Sequence, residues 1–520
     1  MSKQRGAEIA LAFNAATLLF ALPLYVRVFS DPGFVLVLRL MALFQLIPTA
    51  VLVLLGMAAR RFGGPRIAGM YWAALTAGAV LSLLRVVQLQ AFSMTLAGLP
   101  WWGKALVALA FGVPLALAVV FARRALLALS RQLTPAVIFV TVAFVAQLSL
   151  PHLTGAGGTL TKPTRQDTVL FIIFDEMGRD VLTTNDRLDP VRFPNLARLA
   201  ADGVWFTNAT SNYGVTCASV PSLLTGKRIT EINCQERGLA DLDPSVLTRL
   251  ADEYRVSIYD EVLPDCHGVV VRYQCRGIPY LVAKYPQLAL VEHLIPPTAR
   301  TSVLADLLGG THTPFALPMW REFLADLESG GGRGGAYFVH IALPHSPFIF
   351  DERGRLHHDP NEYFLTLPEN EPATFANYDR QTRFTDRLFG ELVETLKRKG
   401  LYDTATILVT GDHGPWAAAT AAGAISRMSP QVPVILKSPS LRPGLSAVEY
   451  QHIDLAPTLL SVLNLRPLEG VDGRAAFGAA LAPRDKTFIL GKHGAGNPFR
   501  SRDYTTFVQS PGSSEWRPAP

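Results

Sequence analysis

Five long apolar stretches in the first 153 residues constrain this chain more than any other feature. They lie near 8–29, 34–57, 67–93, 103–125 and 134–153, and each is long enough to cross a bilayer as a helix. Few acidic residues interrupt them and the loops are short, which argues against a soluble all-helical domain. Lys3 and Arg5 precede the first stretch, Arg60, Arg61 and Arg66 lie between the second and third, and Arg123, Arg124 and Arg131 mark the fourth–fifth junction. The loops Ser30–Gly33 and Met94–Trp102 hold no Lys or Arg. The positive-inside rule then predicts a cytoplasmic N-terminus and places everything after residue 153 outside. No small-residue cleavage site follows the first stretch, so it is expected to be retained. The expectation is a five-helix transmembrane domain over residues 1–153.

Charge separates the two parts. The chain carries 48 Lys+Arg against 42 Asp+Glu, a net +6. Residues 1–166 hold 14 basic and 2 acidic residues (Glu8 and Asp31), leaving 34 against 40, or −6, for the rest. A nucleic-acid-binding protein would be basic on its polar domain, so that class is excluded. All four cysteines (Cys217, Cys234, Cys266 and Cys275) fall in the part placed outside, where up to two disulfides are expected. A zinc cluster is the alternative, but no Cys-x2-Cys spacing exists. Arg27, Arg39 and Arg85 lie inside or at the edge of the apolar stretches, toward the outer face. Snorkelling explains any one of them. Three at one leaflet suggest a seat for an anionic lipid headgroup.

Residues 154–166 read as a Gly/Thr/Pro linker. Its 13 residues reach at most about 45 Å, which keeps the following domain near the membrane surface. From 167 to 500, short apolar runs alternate with helical patterns. Strands are predicted at Thr168–Phe174, Val204–Asn208, Ala336–Ile341, Ala405–Val409, Val432–Leu436 and Thr487–Leu490. Helices are predicted at Pro194–Asp202, Ser219–Leu224, Ser245–Glu253, Asn377–Lys399 and Leu455–Leu463. Continuous β-branched runs between helices imply a mostly parallel central sheet flanked by helices, an α/β domain. Residues 501–520 read as a loose tail.

Three pieces of chemistry sit at predicted element ends. Asp175-Glu176 follows a buried strand directly, at the edge where doubly wound sheets bind ligands, and two carboxylates there suit a divalent cation. Asp412-His413-Gly414 follows a second buried strand and pairs a hard oxygen with an imidazole. The third piece is TCASVPSLLTGK, Thr216 to Lys227. Ser219 is a candidate N-cap, Pro221 fits a first turn and Gly226 stops the helix. Thr216 then lies just before a helix N-terminus, where N–H groups favour an anion. A hydroxyl is a poor nucleophile at neutral pH, and a metal held by the two ligand pairs would activate it.

In this order, the three pieces resemble the sulfatase branch of the alkaline phosphatase superfamily. The resemblance extends over roughly 167–465, through FPNLARLAADGVWF (Phe193–Phe206), His340, Pro344-His345, VPVILK (Val432–Lys437) and HIDLAPTLL (His452–Leu460). It implies a central mixed sheet between helices, with Asp175, Glu176, Thr216, Asp412 and His413 as metal ligands. Thr216 looks like the nucleophile and His345 like an acid/base or substrate-contacting histidine. His340, His452, His493 and Lys227 are further candidates for substrate contact, with Arg27, Arg39 and Arg85. The implied cofactor is a divalent metal ion, zinc or manganese, with calcium as an alternative.

The pattern departs from true sulfatases, whose Cys-x-Pro-x-Arg (or Ser in place of Cys) yields formylglycine. The nucleophile position here is Thr216, Cys217 is one residue late, and Val220 stands where Arg is expected. A threonine nucleophile with five N-terminal spans looks like the phosphoethanolamine and phosphoglycerol transferases of bacterial envelopes. That resemblance implies an inner-membrane enzyme with its catalytic domain in the periplasm or outside. It would take a phospholipid headgroup and pass it to an envelope glycolipid or polymer. A sulfatase-like hydrolase of sulfate esters or phosphodiesters is the alternative. A non-catalytic lipid-binding relative is the third reading, although it should have lost ligands or nucleophile.

Overall fold

The computed structural model describes residues 9, 11–16, 47–86, 132, 134–135, 163–185, 187–229, 242, 244–260, 273–276, 316–329, 332–345, 348, 350–355, 371–415, 430–477, 482–491 and 504–519. The chain divides into two compact units. One comprises Met1–Ala156 with Val282–Ala289, the other Gly157–Leu281 with Leu290–Pro520.

In the first unit, helix α1 runs over Ile47–Val86 and breaks at Gly64, whose φ of 71° leaves helical space. Glycine adopts that conformation without the Cβ clash other residues suffer. Across the break the two halves pack together. Tyr71 Oη donates to the Leu52 carbonyl at 2.7 Å, and a Cβ on Gly56 would meet the Trp72 ring at 2.3 Å. The break coincides with the expected arginine-bearing loop between the second and third stretches. Among the described residues no helix is long and apolar enough to cross a membrane. The stretch at 103–125, all but two residues of 134–153 and residues 17–29 of the first stretch lie outside the described residues, as do Arg27 and Arg39.

The second unit is built on an eight-stranded sheet. Its strands are β1 (Val169–Phe174), β2 (Val204–Phe206), β3 (Arg255–Asp260), β4 (Tyr273–Arg276), β5 (Gly335–Ile341), β6 (Thr406–Gly411), β7 (Val434–Lys437) and β8 (Gly444–Ser446). The spatial order is β8-β2-β7-β6-β1-β5-β3-β4. β1 pairs in parallel with β5 and β6, as do β3 with β5 and β4, and β2 with β8, while β7 runs antiparallel to both neighbours. The central strands are apolar on both faces because helices cover both. Val169, Phe171 and Ile173 pack with residues of α3 (Thr216–Thr225), α4 (Val246–Ala251) and α7 (Leu455–Val462). On the opposite face Phe174 meets Trp320 of α5 (Ala316–Glu328) at 6.0 Å between ring centres.

Capping fixes the helices that flank the site. The N-terminus of α2 (Pro194–Asp202) has no cap of its own, and Asp386 of α6 (Glu371–Arg398) accepts from the backbone of Asn195 and Leu196 at 3.3 and 2.8 Å. Ser245 and Thr248 form a reciprocal capping box at the start of α4. Two expectations change. The tail is not loose, since Tyr504–Gln509 pairs with both Lys486–Gly491 and Arg517–Pro518 in a three-stranded antiparallel sheet. Ser219 is not an N-cap, because α3 begins at Thr216 with Val215 as its cap position, which leaves Pro221 inside the helix. The Ser219 hydroxyl is instead engaged with the Asp412 carbonyl and His452.

Candidate metal centre and nucleophile

The carboxyl ends of β1 and β6 lie side by side, and the residues after them close the site. Glu176 sits in the left-handed region at φ 60°, a conformation that costs a non-glycine residue roughly 1 kcal/mol or more. Two buried groups hold it there. The Glu176 N–H donates to Asp412 Oδ1 at 2.9 Å, and its carbonyl accepts from the buried Tyr378 hydroxyl of α6 at 2.7 Å. The same Tyr378 oxygen accepts from the Gly178 N–H at 3.0 Å, so one phenol clamps the whole turn. Across the junction, a Cβ on Gly411 would lie 2.1 Å from the Met177 carbonyl oxygen, so only glycine permits this approach.

Asp412 is fully buried and divides its labour between its oxygens. Oδ1 accepts from the backbone of Glu176 and His413 at 2.9 and 2.8 Å, while Oδ2 has no hydrogen-bond partner. His413 Nδ1 lies 2.8 Å from the Gly414 carbonyl, which can only accept, so Nδ1 carries the proton and Nε2 offers its lone pair. That Nε2 is 3.2 Å from Asp412 Oδ2, 3.2 Å from Thr216 Oγ1 and 3.9 Å from Asp175 Oδ1. Thr216 Oγ1 lies 3.5 Å from Asp175 Oδ1.

These separations permit a test of fit. Four donors at about 2.0–2.1 Å around a tetrahedral cation stand roughly 3.3–3.4 Å from one another. Asp175 Oδ1, Thr216 Oγ1, Asp412 Oδ2 and His413 Nε2 span 3.2–3.9 Å in the pairs just given, and Asp412 Oδ2 is an orphaned buried oxygen among them. The residues fit a divalent cation. Glu176 Oε1, 3.7 Å from His345 Nε2, completes the acidic wall.

Electrostatics point the same way. Burial, reinforced by the negative charge of Asp412, pushes the Asp175 carboxyl up to about 7. Asp412 is held below the usual range because His413 and His340 outweigh its burial. His413 is raised: burial opposes its charge, and Asp412, Asp175 and Glu176 prevail. His340 is pushed up to about 9, since Asp260, Asp175 and Asp412 together overcome a large burial penalty. Without a cation, the protons held on Asp175, His340 and His413 offset the buried negative charge, and a divalent ion would displace them.

The sequence-derived site residues therefore separate into groups. Asp175, Glu176, Thr216, Asp412 and His413 converge, with half-exposed His345 at their edge. His340 does not lie with substrate-facing groups: it is fully buried, and with Asp175 and Asp412 offers ligand atoms that all lie within 4.8 Å of one another. His452 is also buried, with its ring nitrogens 3.1 and 3.2 Å from the Thr410 and Ser219 hydroxyls. Burial lowers it to about 3, so it is a neutral structural link to the Asp412 backbone rather than a substrate contact. Lys227 follows the far end of the 10-residue α3, about 15 Å along the axis from Thr216, too far for the chemistry. His493 lies outside the described residues, and Arg85 is described only as part of α1. Cys217, next to the nucleophile position, is disulfide-bonded, and no cysteine is free among the described residues. A sulfur in a disulfide cannot become formylglycine. Sequence reasoning missed Tyr378, an interior position of an amphipathic helix with no local signal. It also missed Asp260, although Asp260-Glu261 ends a β-rich run just as Asp175-Glu176 does.

Similarity to known proteins is found over this part of the chain. The sulfatase family profile matches residues 167–263 and 269–465. Lipoteichoic acid synthase 1 of Bacillus subtilis (strain 168) is 25% identical over 202 residues, covering 36% of this chain and 28% of that protein. The chain thus spans little more than a quarter of that relative's length. Among solved structures, a phosphonate monoester hydrolase from Silicibacter pomeroyi aligns at TM-score 0.50 and 20% identity, over 66% of this chain and 85% of its own. The phosphonate monoester hydrolase of Agrobacterium radiobacter aligns at TM-score 0.46 and 16% identity, over 66% and 86%. The family profile spans more than half of the sequence and includes every residue of the metal centre, and the chain belongs to the sulfatase family, in the sulfatase branch of the alkaline phosphatase superfamily.

Proposed function

We propose that this protein is a membrane-anchored, metal-dependent transferase that moves a phospholipid headgroup, phosphoethanolamine or phosphoglycerol, through a covalent Thr216 intermediate. The acceptor is an envelope glycolipid or polymer on the extracytoplasmic side. The observation that carries this reading is the placement of Thr216 Oγ1 at 3.2 Å from His413 Nε2 and 3.5 Å from Asp175 Oδ1, at the first turn of α3. A threonine in that place has no packing reason to point at a buried imidazole and carboxylate. The similarity to a lipoteichoic acid synthase supports transfer in an envelope setting. Exposed Val51, Leu54, Leu55, Met57, Phe62 and Met70 on α1 support embedding of the first unit in lipid.

Asp175, Glu176, Asp412, His413 and Thr216 would hold a divalent cation, which supplies acidification of the Thr216 hydroxyl and neutralisation of phosphoryl charge. The chain's own residues do the remainder. Thr216 Oγ1 gives up its hydroxyl proton to solvent water, attacks phosphorus and forms an O–P bond while the bond to the diacylglycerol oxygen breaks in line. The leaving oxygen takes a proton from half-exposed His345, which faces Glu176 at 3.7 Å. The N–H groups at the start of α3 face the phosphoryl oxygens. The acceptor hydroxyl then gives its proton to the now neutral His345 and forms its own O–P bond while the Thr216 Oγ1–P bond breaks, and Thr216 regains a proton from solvent water.

Purified full-length protein in detergent, given phospholipid with a labelled headgroup, tests the reading. Headgroup should leave the lipid only as fast as acceptor is supplied, beyond one equivalent per active chain. Rapid multiple-turnover release into water without acceptor would instead make the protein a hydrolase.

A further inference from the structure

Asp260 and His340 are opposite one another on the neighbouring parallel strands β3 and β5, so both side chains leave the same face of the sheet. His340 also pairs in register with Ile173 of β1, two residues before Asp175. The shared face therefore leads from Asp260 through His340 to the metal centre. His340 is 0% exposed and Asp260 2%. Asp260 Oδ2 lies 3.3 Å from His340 Nδ1, and His340 Nε2 lies 4.0 Å from Asp175 Oδ2. Crucially, that Nε2 makes no hydrogen bond despite complete burial.

Leaving a buried ring nitrogen unpaired costs about 1–3 kcal/mol unless something occupies its lone-pair direction. Nothing apolar is gained by a histidine here, since its other nitrogen is tied to a second buried carboxylate. Two oxygens of one carboxylate also face different nitrogens: Asp175 Oδ1 faces His413, and Oδ2 faces His340.

We propose that His340 is itself a metal ligand through Nε2, and that Asp260 is its positioning residue, the pair forming a carboxylate–histidine–metal arm. An ionised Asp260 accepts only, which fixes the proton on Nδ1 and aims the Nε2 lone pair at the cation. The arm adds a neutral nitrogen to a ligand set otherwise dominated by carboxylates. It shifts the centre's preference from oxygen-loving calcium toward zinc or manganese. This inference rests on the metal centre assigned above and deepens it.

Metal binding by the full chain in detergent tests it without recourse to turnover. Apo protein is titrated with Zn2+ against a chromophoric chelator, and with Co2+ while the visible ligand-field spectrum is followed. Asp260→Asn is expected to weaken Zn2+ binding about 10–100-fold, the range for loss of an orienting partner. Asp260→Glu, which keeps the acceptor, should recover part of the loss. His340→Gln should weaken binding further and change the Co2+ spectrum by removing a nitrogen donor. Should His340→Gln fail to fold, the Asp260 pair carries the test alone, and the difference between Asn and Glu decides it. Affinities within twofold of wild type for both Asp260→Asn and His340→Gln, with an unchanged Co2+ spectrum, would overturn the assignment while leaving the metal centre intact. Wild-type protein that binds neither ion would overturn both.

Discussion

Tyr378→Phe removes a single oxygen and tests whether the strained turn at 176–178 is held from outside. In the wild type that oxygen donates to the Glu176 carbonyl at 2.7 Å and accepts from the Gly178 N–H at 3.0 Å, all of it buried. Phenylalanine keeps the ring and its 5.4 Å edge contact with Phe348, so packing is preserved. What is lost is two buried hydrogen bonds, leaving one N–H and one carbonyl unpaired. Each is worth about 1–3 kcal/mol when left buried without a partner. Glu176 still donates to Asp412, so the lower part of the combined range, about 2–3 kcal/mol, is expected. With one tenfold change for each 1.4 kcal/mol, amides of the 175–178 turn should exchange with deuterium roughly 30- to 100-fold faster. Peptides from β3 should be unaffected. Metal affinity should fall as well, because Glu176 is free to leave φ 60° for a relaxed conformation that turns its carboxylate away. Exchange within threefold of wild type, with unchanged metal affinity, would refute the argument that the phenol clamps the site.

Gly411→Ala places a methyl 2.1 Å from a backbone oxygen that has nowhere to go. It should destabilise the domain by about 1–3 kcal/mol in urea denaturation and impair metal uptake. Thr216→Ala should leave Zn2+ bound and fold intact but stop headgroup transfer, whereas Thr216→Ser should retain part of the rate; equal rates for both variants would remove Thr216 from the chemistry. His452 supplies a pH dependence with a definite sign. Its folded value of about 3 lies below the ordinary 6.5, so the unfolded chain binds a proton that the folded chain refuses. Stability from this residue is complete above pH 6.5 and is lost as pH falls toward 3, by about 1.4 kcal/mol per unit. Between pH 7 and 5, urea denaturation of wild type should therefore lose about 2 kcal/mol more than His452→Gln.

Much of the catalytic domain was legible because its signals are local. A run such as VLFIIF ending in Asp175-Glu176 declares both a doubly covered strand and the polar edge where it stops, and the same logic found Asp412-His413. The start of α3 was misread because Ser219 and Pro221 look like ordinary helix-entry residues, while the helix begins three residues earlier against Val215. There the tertiary partners of Ser219, the Asp412 carbonyl and His452, use the hydroxyl that a cap would have needed. His340 and His452 were indistinguishable in sequence as candidate substrate contacts. Only packing separates them, since one presents an unpaired nitrogen to two carboxylates and the other has both nitrogens occupied by hydroxyls. The pairing of Asp260 with His340 depends on strand order, which puts β3 beside β5 although 74 residues lie between the end of β3 and the start of β5. The strands within 501–520 were missed because Tyr504–Gln509 carries little apolar signal of its own (YTTFVQ) and pairs with the separate segment Lys486–Gly491.

The central claim is that Thr216 carries the transferred group. Its most direct measurement is peptide mass spectrometry of the segment spanning Thr216, from protein isolated out of native membranes, beside a Thr216→Ala control. The account predicts a phosphoethanolamine or phosphoglycerol adduct on Thr216 that is absent from the control. An unmodified Thr216 under conditions where lipid headgroup is turning over, or an adduct that persists in Thr216→Ala, would contradict it.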